Sequence, residues 1–146
     1  ASGQYFLRGS AEVYARVDDG SLQRGAGDLE DMVADFDTQT VSINLRTPFD
    51  PSAGSQIETS IQAMALPLNV VTGTFGGTIE MSSRSDTTGE IVTSAGQLRG
   101  NLNGDEAGLS RLVENMTTSG LFTVGDDTER LQADGGFWCS QLNYGD

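Results

Sequence analysis

The sequence contains no histidine and no lysine, and its 146 residues include one cysteine and one tryptophan. Without histidine, a Ser-His-Asp or Cys-His catalytic arrangement, a histidine-bound metal and histidine ligation of haem are all excluded. The lone Cys139 cannot form an intrachain disulfide, and its apolar surroundings without a basic neighbour predict a buried filler rather than a reactive thiol. We therefore expect a protein that is not an enzyme and that needs no cofactor.

Positive charge is scarce as well. Eight basic residues, all arginine, stand against 21 acidic ones, which gives a formal net charge of −13. Such a charge repels phosphate backbones and anionic lipid surfaces, so we expect no nucleic-acid partner. No apolar run approaches the roughly 20 residues that a membrane-spanning helix needs, so we also expect no transmembrane segment. The acidity is interpreted as an aid to solubility in a salty medium.

The sequence is rich in glycine, with 19 glycines against three prolines, and 36% of its residues are apolar. A length of 146 residues is that of one domain with one core, so we expect a single domain over residues 1–146. Glycine together with many residues in two-residue alternation predicts short, twisted strands joined by tight turns.

The clearest alternation lies in residues 28–47, where two apolar rows flank a polar corner and predict a β-hairpin. If both rows face the same core, a corner of two or four residues places Phe36 opposite Val41. The same register pairs Asp31 with Arg46 on the polar face. This hairpin and two further strands predict one buried core that contains Met32, Ala34, Phe36, Val41, Ile43, Leu45, Phe75 and Phe122.

Similar alternations predict strands over residues 4–17, 56–66, 70–82, 91–102, 119–124 and 131–139. The fold class is therefore all-β, with eight antiparallel strands in mostly consecutive hairpins. Such strands close most simply into an up-and-down barrel, because closure removes both exposed edges, and a sandwich is the alternative. The interior of an eight-stranded barrel is either filled by side chains or just wide enough for one small ligand.

The period changes in one segment, which predicts a short helix near residues 105–116. The apolar residues at helical spacing are Leu109, Leu112, Val113 and Met116. Asn103 with Glu106 resembles a capping pair at the start of this helix. We expect the helix to cover one mouth of the barrel and to leave the other mouth for a partner.

Two acidic turns supply the candidate binding loops. Asp18 and Asp19 lie in the first turn, and Asp126, Asp127 and Glu129 lie in the last. Such carboxylates could hold calcium together with loop carbonyls, but neither turn has the spacing of a twelve-residue calcium loop. Solvated loops are the favoured interpretation, and no metal ligand is predicted.

Several short motifs follow one another along the chain: Gly27-Asp28-Leu29, Val33-Ala34-Asp35-Phe36-Asp37-Thr38-Gln39-Thr40-Val41-Ser42, Gly73-Thr74-Phe75-Gly76-Gly77, Gly100-Asn101-Leu102-Asn103-Gly104-Asp105-Glu106-Ala107 and Gly120-Leu121-Phe122. Their order, over roughly residues 10–139, resembles the β-barrel domain of the transferrin-binding protein B family. The chain departs from that family at residues 103–107, where the family has an aromatic-Gly-Pro-x-Ala segment. It also has no cysteine at its start for a lipid anchor. Because no charged-then-apolar leader stands at Ala1, the chain is expected to be either a processed mature form or a trimmed one.

The resemblance implies a non-catalytic binding protein of a Gram-negative bacterium. Such a protein is secreted, periplasmic or exposed at the outer-membrane surface, and it captures a protein or a small ligand through end loops. The matched positions belong to the scaffold, so no binding residue is transferred from the family. The identity of the partner and the oligomeric state stay open.

Two other functions fit the same strand pattern. The first is a structural subunit of a surface assembly, joined by β-strand augmentation through the Tyr5-Phe6-Leu7 segment. The second is a lipocalin-like carrier of a small apolar ligand, which requires an empty barrel.

Overall fold

The computed structural model describes residues 3–18, 20–48, 57–104 and 115–142, apart from the side chain of Glu30. The strands are β1 Gln4–Val17, β2 Gln23–Asp35, β3 Thr40–Thr47, β4 Ile57–Pro67, β5 Thr74–Ser85, β6 Ile91–Asn103, β7 Thr117–Val124 and β8 Leu131–Gln141. Each strand pairs antiparallel with its neighbour in sequence, and β8 pairs with β1 to close the sheet. The predicted eight-stranded up-and-down barrel is confirmed, and the sandwich alternative is wrong.

The barrel interior contains the predicted core. The buried residues of one apolar cluster include all eight that were expected, namely Met32, Ala34, Phe36, Val41, Ile43, Leu45, Phe75 and Phe122. Tyr5 packs edge-on against Phe36 with ring centroids 5.4 Å apart, and the Phe75 and Phe137 centroids are 6.5 Å apart. Cys139 is a free, buried thiol in the same cluster, as its apolar surroundings predicted.

The short helix expected near residues 105–116 is not confirmed. Residues 105–114, which include Leu109, Leu112 and Val113, lie outside the described part of the chain. The backbone of Asn115 has a φ of 53°, so a right-handed helix cannot continue through Asn115 into Met116. Met116 is fully buried. In the ranges that the structure describes, no helix is long and apolar enough to cross a membrane.

The register of the β2–β3 hairpin differs from the predicted one by two residues. Val41 pairs with Ala34 instead of Phe36, and Asp35 pairs with Thr40. Phe36 therefore lies in a four-residue turn over residues 36–39. Because a shift of two residues keeps side-chain parity, the same apolar residues still face the interior.

Asp35 explains why the turn closes early. Its carboxylate accepts hydrogen bonds from the backbone N–H groups of Asp37 at 2.9 Å and Thr38 at 3.0 Å. These bonds lower the pKa of Asp35, the one from Thr38 most. Gln39 then takes a φ of 58°, which returns the chain into β3. The turn is thus set by a side chain that strand alternation does not reveal.

The predicted ion pair between Asp31 and Arg46 does not form. A register irregularity between Leu29 and Asp31 places Asp31 opposite Asn44. Arg46 instead donates a hydrogen bond of 2.9 Å to the carboxylate of Glu58 on β4. The bulge therefore moves Asp31 out of register with Arg46, which lies opposite Asp28.

The fifth strand begins four residues later than predicted. Val71 and Thr72 lie in a turn, where their backbone N–H groups donate to the Asn69 side-chain oxygen at 3.0 and 3.2 Å. Val71 is consequently 88% exposed instead of facing the core. Asn69 ends the alternation here in the same way as Asp35 does in the first hairpin.

The ladder between β4 and β5 is shorter than either strand. It ends at the pair Ile61–Met81, and beyond it the structure gives a single isolated bridge, Leu68–Phe75. Ala65, with a φ of 56°, bends the second half of β4. Among the described residues, β4 and β5 therefore share no continuous ladder beyond the pair Ile61–Met81.

Candidate functional site

Three inward-facing glycines of the barrel are each covered by a phenylalanine ring from a neighbouring strand. The cross-strand pairs are Phe75 with Gly100, Phe137 with Gly120 and Phe122 with Gly135. A Cβ atom on Gly120 would lie 2.6 Å from Cε1 of Phe137, and one on Gly100 would lie 2.9 Å from Cε1 of Phe75. The rings thus occupy the space of the missing side chains. The strands β5–β8 with these three pairs are termed the glycine wall.

The outer face of the glycine wall forms a groove. Two cross-strand rows of outward-facing residues line it: Thr74, Asn101, Ser119 and Trp138 in the first row, and Gly76, Arg99, Leu121, Gly136 and Glu12 in the second. Thr74, Ser119, Gly76 and Gly136 have small side chains or none, so part of the floor is strand backbone. The groove has a volume of about 1750 Å³. It is termed the outer groove.

Two large apolar side chains stand exposed in the outer groove. Trp138 is 55% exposed and Leu121 is 73% exposed. Leu121 leans across its cross-strand partner Gly136, since its Cδ2 atom lies 3.1 Å from the position of a Cβ on that glycine. Exposed aromatic and aliphatic side chains with convergent polar groups in a concave surface are typical of a ligand site.

Glu12 forms the polar edge of the outer groove. Its Oε1 atom accepts hydrogen bonds from Arg24 Nε at 2.8 Å and from the Tyr14 hydroxyl at 2.6 Å. These two bonds, the one from Arg24 first, lower the pKa of Glu12 to about 2, and the carboxylate in turn raises the pKa of Tyr14. Glu12 is therefore ionised near neutral pH and suits hydrogen-bond acceptance rather than proton donation.

A smaller depression adjoins the outer groove on the same face. It has a volume of about 380 Å³ and is lined by Tyr14, Leu121, Asp134 and Gly136 among others. Tyr14 pairs across the strands with Asp134, and Glu12 pairs with Gly136. The depression extends the groove toward β1.

The structure places the predicted residue Asp18 in an ion-pair network at one end of the barrel. Arg130 donates to Asp18 Oδ1 at 2.7 Å and Oδ2 at 3.1 Å, and to Glu90 at 2.6 Å. The loops β1–β2, β5–β6 and β7–β8 are thereby joined through one guanidinium. Arg130 also lowers the pKa of Asp18. These contacts assign Asp18 a structural role in the loops.

Asp126, Asp127 and Glu129 lie in the β7–β8 loop, the same loop from which Arg130 reaches Asp18. Asp126 accepts hydrogen bonds from the backbone N–H and the hydroxyl of Thr128, which lower its pKa and shape the β7–β8 turn. Asp127 is exposed, Glu129 is half-buried, and Asp19 lies outside the described residues. In the part of the chain that the structure describes, no group of three or more Cys, Asp or Glu side chains is placed to hold a metal ion.

Sequence reasoning missed the outer groove although a signal for its apolar residues was present. The alternation that directs Phe122 and Phe137 inward also directs Leu121 and Trp138 outward. An outward tryptophan next to an outward leucine on adjacent strands would have predicted an exposed apolar patch. The position of Glu12 beside them follows only from closure of β8 onto β1.

Comparison with known proteins gives no relative from which a site can be transferred. No family model matches the chain, and searches of curated proteins and of solved structures found no match either. The geometry of the outer groove is therefore the basis for assigning a function.

Proposed function

We propose that this protein is a non-catalytic, exported binding barrel that holds its ligand in the outer groove. The main support is the exposed pair Trp138 and Leu121 inside a groove of about 1750 Å³ on a closed barrel. The resemblance of the scaffold motifs to the transferrin-binding protein B family agrees with a binding role at the cell surface, in the periplasm or outside the cell. The ligand is a protein or a small molecule.

Binding rather than catalysis is supported by the side chains available. The chain has no histidine, and Cys139 is buried, so a thiol–imidazole or serine–imidazole centre is excluded. Glu12 has a pKa of about 2, which makes it a poor general acid near neutral pH.

The outer groove is a better candidate than the acidic end loops. Asp18 is engaged by Arg130, and Asp126 by Thr128, so both carboxylates already have partners within the barrel. Trp138 and Leu121 are free of such constraints and offer apolar surface, which contributes more to affinity than exposed charge does.

The lipocalin-like alternative has less support. Tyr5, Phe36, Phe75 and Phe137 place aromatic rings in the barrel interior, where a carried ligand would need space. The outer groove and the adjoining depression both have exposed outer residues such as Leu121 in their lining.

One observation favours the assembly alternative as a second candidate. The Tyr5-Phe6-Leu7 segment is already paired with β2, which argues against augmentation through β1. The early end of the β4–β5 ladder at Ile61–Met81 offers a different place for an added strand. Size-exclusion chromatography with light scattering separates the candidates, because assembly predicts a polymer and a binding module predicts a monomer at all concentrations.

A matched pair of variants tests the proposed groove. Leu121→Glu places a charge inside it, whereas Ile91→Glu changes another exposed residue at the far end of β6, roughly 26 Å from Arg99, the cross-strand partner of Leu121. Ligands are captured from the organism's natural surroundings and identified by mass spectrometry. We expect the wild type and Ile91→Glu to retain the same bound species and Leu121→Glu to lose it.

Three results would count against the proposal. Equal capture by Leu121→Glu and Ile91→Glu would place the site elsewhere. Turnover of a substrate that a single carboxylate substitution abolishes would make the protein an enzyme. Affinity that falls steeply with salt would favour the acidic loops over the groove, because exposed charges are screened beyond about 8–10 Å.

A further inference from the structure

We infer that the ligand class of the outer groove is an uncharged oligosaccharide, one sugar ring of which stacks on Trp138. This inference rests on the proposed function, since it names the ligand of the same groove. It follows from the side chains around Trp138 and from the charge of the whole chain.

Trp138 provides a stacking platform. It is 55% exposed, and its cross-strand neighbours on the outer face, Ser10 on β1 and Ser119 on β7, are both small. The indole therefore stands above a low polar surface. A sugar ring has an apolar face of C–H groups and a rim of hydroxyls, which matches an aromatic side chain surrounded by hydrogen-bonding groups.

The groups around this platform suit hydroxyls. Asn101 and Ser119 lie in the row of Trp138, and they offer an amide and a hydroxyl that both donate and accept. Arg99, in the next row, adds a guanidinium beside Leu121. Neighbouring hydroxyls of a sugar need such paired donors and acceptors, and a purely apolar ligand would leave them unsatisfied.

Glu12 adds a fixed acceptor at the β1 side. Both hydrogen bonds from Arg24 and Tyr14 end on Oε1, so, among the described contacts, Oε2 is left to accept a ligand hydroxyl. Arg24 belongs to β2, which pairs with β1 on the side opposite to β8 and Gly136. An acceptor that is oriented in advance costs little entropy when the ligand binds.

Other ligand classes fit less well. An extended peptide would need unpaired backbone to add a strand, which the groove offers only at the outer edge of β5, where the ladder with β4 has ended. Beneath Trp138 and Leu121, the strands β6, β7, β8 and β1 each pair with a strand on both sides. Sulfated or phosphorylated glycans are repelled by the net charge of −13. A neutral sugar chain needs neither free strand backbone nor positive charge.

The inference is tested by titrating the full chain with cellohexaose, maltohexaose, chitohexaose and mannohexaose. Trp138 is the only tryptophan, so intrinsic fluorescence reports on the groove without a label. Calorimetry supplies the dissociation constants for the variants, because Trp138→Ala removes the fluorophore. At least one hexasaccharide should give a saturable change in fluorescence.

Three variants separate stacking from unspecific effects. We expect Trp138→Ala to weaken binding by roughly tenfold or more, a change of about 1.4 kcal/mol. Trp138→Phe keeps an aromatic ring and should weaken binding by only about threefold, whereas Ile91→Ala should leave it unchanged. Raising NaCl to about 0.5 M should change the affinity by less than roughly twofold, since the ligand is uncharged.

The inference is overturned if no hexasaccharide binds up to about 10 mM, a limit that already corresponds to weak affinity. It is also overturned if Trp138→Ala binds as tightly as the wild type, or if a sulfated hexasaccharide binds more tightly than its neutral counterpart. If no sugar binds but capture of another species depends on Leu121, this inference fails and the proposed function stands. If capture is independent of Leu121, both fail.

Discussion

The two walls of the barrel are filled in different ways. In the β2–β3 hairpin, inward side chains such as Met32 and Ile43 fill the interior themselves. In the glycine wall, Gly100 and Gly120 leave that space open, and the rings of Phe75 and Phe137 fill it from neighbouring strands. On their outer face, the same strands carry small residues such as Ser119 and Gly136 between the large side chains of Trp138 and Leu121. A wall rich in glycine can therefore be filled by rings on its inner face and still form a groove on its outer face.

The largest expected effect on stability comes from removing a ring of the glycine wall. Phe75→Ala should lower the free energy of unfolding by about 3–5 kcal/mol, because it removes a buried ring that also covers Gly100. The corresponding truncation to alanine in the other wall, Ile43→Ala, leaves no glycine uncovered and should cost about 2–5 kcal/mol. Chemical denaturation measures both. An unchanged midpoint for Phe75→Ala would contradict this account of the core.

The next effect comes from adding a methyl group instead of removing a ring. Gly100→Ala would bring a Cβ within 2.9 Å of the Phe75 ring and should cost about 1–3 kcal/mol. At Gly77 a Cβ would lie 3.4 Å from Leu66 Cδ2, an ordinary contact, so Gly77→Ala should be neutral or stabilising by roughly 0.4–1 kcal/mol. Thermal and chemical denaturation compare the two variants.

A double variant tests the cause of the Gly100 effect. Phe75→Leu makes room for the new methyl group, so the combined cost of Gly100→Ala and Phe75→Leu should be smaller than the sum of the single costs. Additive costs, or equal effects of Gly100→Ala and Gly77→Ala, would show that the ring does not rest on the glycine.

Period-two alternation was enough to predict the strands and the core, because each inward or outward direction is a local property of the chain. The bounds of β1, residues 4–17, agree fully with the alternation. The eight core residues are buried for the same reason. The hairpin register and the start of β5 were wrong because Asp35 and Asn69 set the turns through side-chain hydrogen bonds.

The same alternation marks Leu121 and Trp138 as outward-facing, but it cannot show that Glu12 lies beside them. The outer groove joins Glu12 to Leu121 and Trp138, which lie more than a hundred residues away in sequence and meet only because β8 pairs with β1. Acidic turns were visible in the sequence, but their partners were not, and Asp18 proved to be bound by Arg130. Long-range pairing therefore decides which polar residues are available for a ligand.

A smaller effect concerns Cys139, which tests whether the glycine wall is closed to solvent. Burial raises the pKa of its thiol to about 12. At about pH 8 the folded protein should therefore react with a thiol reagent much more slowly than the denatured protein, since only the thiolate is nucleophilic. Equal rates of labelling, followed by absorbance or mass spectrometry, would show that the wall opens readily.

The smallest expected effect lies at the polar edge of the groove. Because the folded-state pKa of Glu12 is lowered from 4.5 to about 2, its contribution to stability is present above pH 4.5 and is lost as the pH falls toward 2. The difference in melting temperature between the wild type and Glu12→Gln should therefore shrink over that interval. A difference that stays constant down to pH 2 would mean that Arg24 and Tyr14 do not hold the carboxylate in solution.

The central claim is that ligands bind at the outer groove of the glycine wall. It is tested most directly by NMR, following the indole N–H of Trp138 and the methyl groups of Leu121 and Ile91 as the captured ligand is added. The account predicts that the Trp138 and Leu121 signals shift in a saturable manner while the Ile91 signal does not. Shifts at Ile91 and in the β7–β8 loop, with Trp138 and Leu121 unchanged, would contradict it.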